Sequence, residues 1–187
     1  RNGKAVTVVM ELQARFDEKA NIYWTKRLEE EGVKILHGIP GLKIHSKLIL
    51  ISRLESGRLV NFANVSTGNF NEATARIYSD HALLTADKKI TSEVDKVFLF
   101  LENNYKVFKY RHLLVSPFYM RKRWTTRIRR EIRNAKAGKD AWIIIKLNNL
   151  VDRQMIDLLY QAADAGVKIR MLIRGICSLN PDNAPHN

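Results

Sequence analysis

The feature that most constrains this chain is a pattern that occurs twice. An apolar strand-like run, a polar loop and an aspartate-led helical stretch lead to the tetrapeptide Gly-Val-Lys-Ile, at residues 32–35 and again at 166–169. Self-similarity at this scale means that one supersecondary unit has been used twice, which predicts two similar α/β halves. In the first copy the strand is Val6–Leu12, rich in β-branched residues. A helix over Glu18–Glu31 follows, with Asp17 as its cap, Gly32 as its stop and Val33–Leu36 as the next strand. The second copy runs from the strand Ala141–Leu147 through Asn148 and Asn149 to a helix over Asp152–Ala165 and a strand over Gly166–Arg174. Open α/β sheets collect ligands at the carboxyl ends of their strands, which draws attention to Arg15 in the loop after the first strand. A phosphate contact and a simple ion pair with Glu11 or Asp17 are equally good readings of that arginine.

Between the copies, Lys43–Ser52 and Leu59–Val65 read as strands joined across Glu55, Ser56 and Gly57 as a hairpin. Residues 71–74 open a short helix or turn. A helix follows within 87–103, packing through Val94, Val97, Phe98 and Leu101. On the first helix Ala20, Tyr23, Trp24 and Leu28 share one side, and Trp24 is assigned to the core. The polar, aromatic and basic stretch 103–111 separates a first lobe, 1–105, from the start of a second, 106–187. Ser116-Pro117 predicts a helix start, with an apolar stripe of Met120, Trp124, Ile128 and Ile132 and a stop at Gly138. The rest of that helix carries Arg121, Lys122, Arg123, Arg127, Arg129, Arg130 and Arg133, a solvated face or a polyanion track. The second copy lacks a counterpart of the strand after His45, and the first residue is Arg1 rather than methionine. Both suggest part of a longer protein.

Over 187 residues the chain carries a net charge of +13 with 45% hydrophobic residues, which describes a folded domain that favours polyanionic partners. Charge alone does not choose among nucleic acid, an anionic membrane and a phosphate polymer. No apolar run reaches membrane-spanning length and no signal-peptide pattern opens the chain. One cysteine excludes an internal disulfide framework and fits a reducing compartment; Cys177 is expected to be buried in or at the end of a strand.

The chemistry concentrates after Gly38, where His45 and Lys47 stand two apart and, on a strand, share a face. A cation beside the ring disfavours its protonation and attracts an anion, and a phosphoryl-accepting histidine needs both. An ordinary strand histidine beside a solvated lysine fits the spacing as well. Downstream, Ser66, Thr67, Gly68 and Asn69 form a turn suited to oxyanions. His37 stands near His45, but no cysteine or carboxylate lies at ligand spacing, so a structural role is expected for it.

The order H-x-K, hydrophobic strand, Gly-Asn turn resembles half of a phospholipase D superfamily site. That family's motif continues to an aspartate where this chain has Ser52, which argues against simple phosphodiester hydrolysis. A closer resemblance spans nearly the whole chain. Residues 11–18 (ELQARFDE), 38–47 (GIPGLKIHSK), 66–71 (STGNFN) with 74–80 (TARIYSD), and 173–179 (IRGICSL) are similar to consecutive blocks of polyphosphate kinase.

The resemblance implies an α/β, phospholipase D-like fold: a mixed sheet flanked by helices, with one complete lobe and the start of a second. It implies a phosphotransferase that moves the terminal phosphoryl group of ATP reversibly onto inorganic polyphosphate, with His45 as the phosphohistidine nucleophile. Lys47, Arg15, Gly68 and Asn69 would bind phosphate, and Tyr78 and Arg174 the nucleotide. Magnesium would bridge substrate phosphates, with Arg15 touching the same oxygens. Arg76 and Asp80 flank Tyr78 as candidates for substrate contact or positioning. Only the motif match raises Tyr78 above a core aromatic; for Arg174 a surface charge before a glycine turn is the weaker reading, because two-fold related sites of this kind converge at the carboxyl ends of strands. The family also uses a second histidine from a later region, which implies incomplete synthetic activity for these residues alone. ATP, ADP and polyphosphate are the implied partners, with no specific nucleic acid and a homo-oligomer in the full-length enzyme. The implied location is cytoplasmic, with peripheral attachment to the inner membrane an open alternative. Two rivals from other classes are a phospholipase D-like phosphodiesterase or nuclease, indifferent to ATP, and a non-enzymatic polyanion-binding module.

Overall fold

The computed structural model describes residues 2–11 and 18–183. The chain divides into two compact units, residues 1–113 and 114–187, each taken here in its own frame. The cap expected from Asp17 lies outside the described residues.

In the first unit, β1 (Thr7–Met10) and β2 (Lys34–His37) pair in parallel, Thr7 opposite Lys34 and Met10 opposite His37. The connection between them contains α1 (Glu18–Glu30), which ends at Gly32 with φ +78°. Trp24 is not core: it is 54% exposed and meets Tyr23 edge to face, 5.3 Å between ring centroids. The inward side of α1 is instead Asn21, Thr25 and Leu28, because Asn21 Nδ2 donates to the Glu11 carbonyl at 2.8 Å and sets the rotation of the helix.

A hairpin follows, β3 (Lys47–Glu55) and β4 (Arg58–Ser66), closed by Ser56 and Gly57 with φ of +47° and +76°. Two positive φ values in a two-residue loop match the right-handed twist of the flanking strands. The strand starts four residues later than its apolar pattern suggested, so His45 precedes it. A short strand that pattern alone did not reveal, β5 (Ala82–Thr85), pairs antiparallel with the last four residues of β4. Between β4 and β5, Asn71 caps α2 (Glu72–Ala75) by accepting from Thr74 N–H. Then α3 (Lys88–Glu102), capped by Asp87, packs on β3 and β4 through a face that includes Val94, Val97 and Phe100. That face also buries Glu93, whose carboxylate accepts the backbone N–H groups of Arg111, His112 and Leu113 at 2.7–2.9 Å and touches His112 Nδ1 at 3.1 Å. The three N–H groups replace the water that the carboxylate gives up.

The second unit repeats the parallel pair: β6 (Trp142–Leu147), α5 (Arg153–Asp164) and β7 (Lys168–Ile173). Asp152 caps α5 through Met155 N–H at 3.0 Å. Helix α4 (Met120–Lys136) precedes them. The core gathers Ile128 of α4, Ile156, Leu159 and Ala162 of α5, and the inward Ile143, Ile145, Ile169 and Met171 of the strands. Burial alternates along β6, so Trp142 and Ile144 are exposed although the run is continuously apolar: the helices of this unit pack on one face of the pair.

Helix α4 begins at Met120, not at Ser116: residues 116–119 form a separate turn in which Tyr119 N–H reaches the Val115 carbonyl, and the Ser116-Pro117 peptide is cis. Tyr119 is the cap, without a side-chain hydrogen bond. Trp124 is exposed, because the buried line of α4 is centred on Ile128. Cys177 is exposed as well: β7 ends at Ile173, and Cys177 meets Leu150 only through an isolated parallel backbone bridge. No helix among the described residues is long and apolar enough to cross a membrane.

Candidate active site

Three local devices deliver His45. Past β2, Pro40 and Gly41 form a turn in which Leu42 N–H reaches the Ile39 carbonyl at 3.0 Å; Gly41, at φ +76°, takes the position that favours glycine. The chain then extends, and Ile44 N–H donates to the Glu11 carboxylate at 3.2 Å, tying this stretch to the end of β1. Finally Lys47, the first residue of β3, folds back on His45. Its Nζ lies 3.0 Å from Nδ1 and 3.2 Å from Nε2, and donates to the His45 carbonyl at 2.7 Å.

The ammonium therefore sits against the ring. Lys47, with smaller help from burial and from Lys43, holds the imidazole below its ordinary pKa. Lys47 itself is lowered by burial, with Asp80 acting in the opposite sense and Lys43 adding to the lowering. A neutral imidazole keeps a nitrogen lone pair for attack.

The register of the hairpin places Lys47 opposite Ser66, so the Ser66–Asn69 turn opens at the same end of the sheet. Gly68 N–H donates to Ser66 Oγ at 3.1 Å. Thr67 Oγ1 donates to the Asp80 carboxylate at 2.9 Å and accepts from His81 N–H at 3.0 Å. A methyl group on Gly68 would collide with that carboxylate, which is why the turn needs glycine there. Asn69 is exposed beside it. Asp80, the acidic neighbour of Lys47, is thus held by the Ser66–Asn69 turn itself. Tyr78 follows α2, half exposed, with its N–H on the Thr74 carbonyl. Arg76 pairs with Glu72. His37 closes β2 opposite Met10.

His45, Lys47, Gly68 and Asn69 thus share one end of the antiparallel sheet. Arg174 belongs to the second unit, where it follows β7 directly and its N–H bonds the Leu147 carbonyl at 3.1 Å. Arg15 lies outside the described residues. Among the described residues no three His, Cys, Asp or Glu side chains converge as a metal site. Two contributors escaped sequence reasoning. Glu11 drew notice only as a partner for Arg15, although a charged residue at the end of an apolar strand was a signal. The Thr67–Asp80 bond joins residues thirteen apart and left no local trace.

Family models match both parts of the chain: Polyphosphate kinase C-terminal domain 1 over residues 1–107 and Polyphosphate kinase C-terminal domain 2 over residues 113–185. This chain belongs to the polyphosphate kinase family. It is 56% identical over 180 residues to the polyphosphate kinase of Vibrio vulnificus strain YJ016, and 55% identical over 181 residues to that of Escherichia coli K12. Those matches cover 96% and 97% of this chain but 26% of each relative, so the chain spans about a quarter of the length of the curated relatives it matches. The crystal structure of polyphosphate kinase from Porphyromonas gingivalis superposes with a TM-score of 0.82 at 43% identity, over 96% of this chain and 30% of that one. The α/β, phospholipase D-like fold class expected of a polyphosphate kinase is the class observed: parallel and antiparallel strands flanked by helices.

Proposed function

We propose that this chain carries the phosphohistidine part of a polyphosphate kinase active site. His45 attacks the γ-phosphorus of magnesium-bound ATP. A P–N bond forms, the bond to the β-phosphate oxygen breaks, and ADP leaves with that electron pair. A terminal oxygen of polyphosphate then attacks the same phosphorus, the P–N bond breaks, and the ring is returned. Splitting one transfer into two gives each step an adjacent nucleophile. Lys47 and the Gly68–Asn69 turn spread charge on the phosphoryl oxygens, the larger part of what such a transfer needs. Arg15 is assigned to substrate phosphate oxygens, whose charge a magnesium ion bound with the nucleotide would help to neutralise, and Tyr78 and Arg174 to the nucleotide. The observation that carries this reading is the Lys47 ammonium against both ring nitrogens of His45. Ser52, at the place of the aspartate in phospholipase D-type hydrolases, disfavours a diesterase.

The test is incubation of a full-length polyphosphate kinase carrying these residues with γ-labelled ATP and magnesium, with and without His45→Ala. Acid-labile, base-stable label on the protein that disappears in the variant is the expected result. Label that persists would move the nucleophile elsewhere, and an unlabelled parent protein would end the phosphotransfer reading.

A further inference from the structure

Beyond the end of β7 the backbone does not leave the neighbouring strand. Arg174 N–H bonds the Leu147 carbonyl at 3.1 Å, Gly175 N–H the Asn148 carbonyl at 2.7 Å, and Leu150 N–H the Ile176 carbonyl at 2.9 Å. One rung of this extended ladder comes from a side chain: Ile176 N–H donates to Asn149 Oδ1 at 2.9 Å. A Cβ on Gly175 would lie 2.5 Å from that oxygen and 2.9 Å from the Asn148 carbonyl, so the approach excludes any side chain. We propose that Asn149 is a positioning residue that fixes the loop bearing Arg174, and through it the presentation of the guanidinium to a nucleotide phosphate. The proposal rests on the assignment of Arg174 to the nucleotide.

Magnitudes favour positioning over stability. Asn149 and Ile176 are both exposed, and an exposed N–H left without Asn149 would be met by water, so the bond adds little to folding. What it constrains is the path of the main chain two residues past Arg174, and small misplacement of a phosphate-binding group is costly to binding and rate. The first unit supports this reading by using the same device independently. At the end of β1, the Glu11 carboxylate accepts Ile44 N–H, next to His45, in the loop that follows β2. In each copy of the repeat, a side-chain oxygen from beyond the first strand holds the loop that follows the second, and each loop carries a residue assigned to phosphate chemistry.

The experiment is a double-mutant cycle in a full-length polyphosphate kinase carrying these residues, with Asn149→Ala, Arg174→Ala and the pair. KM for magnesium-ATP, kcat and the thermal midpoint are read for each. Asn149→Ala should raise KM for ATP about tenfold with the midpoint little changed, and should add nothing once Arg174 is already alanine. Gly175→Ala should shift KM in the same direction. If Arg174→Ala raises KM while Asn149→Ala does not, or if the two effects simply add, the positioning role is overturned. If Arg174→Ala itself leaves KM unchanged, the nucleotide assignment of Arg174 fails instead, and the proposal goes with it.

Discussion

The ammonium of Lys47 lies against the ring of His45, so the protonation of that ring answers to its neighbour. Because Lys47 is the leading influence that lowers the ring's pKa, ahead of burial and Lys43, the ring is harder to protonate than an isolated histidine. Lys47→Met removes that influence, so the ring's pKa should rise and the acid limb of histidine labelling should move to higher pH. Initial labelling rates between about pH 5 and 8 decide the matter, and a limb that stays in place would remove Lys47 from control of the ring. The pairing was legible in the sequence because it needs only a two-residue spacing. The reason Gly68 is glycine was not: the carboxylate that crowds it belongs to Asp80, twelve positions on, and arrives only when β5 pairs with β4. Trp24 was misplaced for a related reason, since helical periodicity names a possible inward face but a bond from Asn21 to Glu11 chose another.

Among the elements, the two parallel strand–helix–strand units were readable because in each copy two apolar strand runs bracket a helical stretch that a glycine stops, Gly32 in one and Gly166 in the other. The start of α4 was not, because Ser116 and Pro117 carry the local signature of a helix start while forming a turn of their own. Nor did α3 announce that it buries an acid, since a charge among apolar positions ordinarily points outward. Glu93 is 4% exposed. Burial is the largest single influence on it and raises its pKa. The N–H groups of Leu113, Arg111 and His112, with the His112 ring, together outweigh burial and leave the pKa below the ordinary 4.5. A depressed carboxylate pKa contributes stability that is complete above the unfolded-state value and lost as pH falls through the folded one. The first unit should therefore lose stability below about pH 4.5. Glu93→Ala, which strands three N–H groups, should cost roughly 3 kcal/mol at neutral pH. Urea titration of parent and variant at pH 7 and pH 4 checks both, and an acid loss of equal size in the variant would assign the acid sensitivity to other groups.

For the molecule as a whole, the charge of +13 makes any polyanion complex sensitive to salt. On α4, Arg121 is engaged by Asp152 and Gln154 and Arg130 by Glu131, while Lys122, Arg129 and Arg133 are exposed along the helix. If this helix is a polyphosphate track, glutamine at those three positions should flatten the dependence of log affinity on log salt by about 2; an unchanged slope would make it a solvated face. Composition could state the charge but not which cations were already taken by acids. The three-stranded sheet has a consequence in the time domain. A hairpin of two nine-residue strands closed by a two-residue turn is a local contact that forms within microseconds and zips away from its turn, so its far end, Lys47 opposite Ser66, closes last. β5 pairs only with that far end, from Ala63 to Ser66, and must first close the longer loop that contains α2 and Tyr78. The end of the sheet that carries Lys47 and the Ser66–Asn69 turn is then the part that assembles latest and frays first, and β5, four residues long, is the latch that keeps it shut.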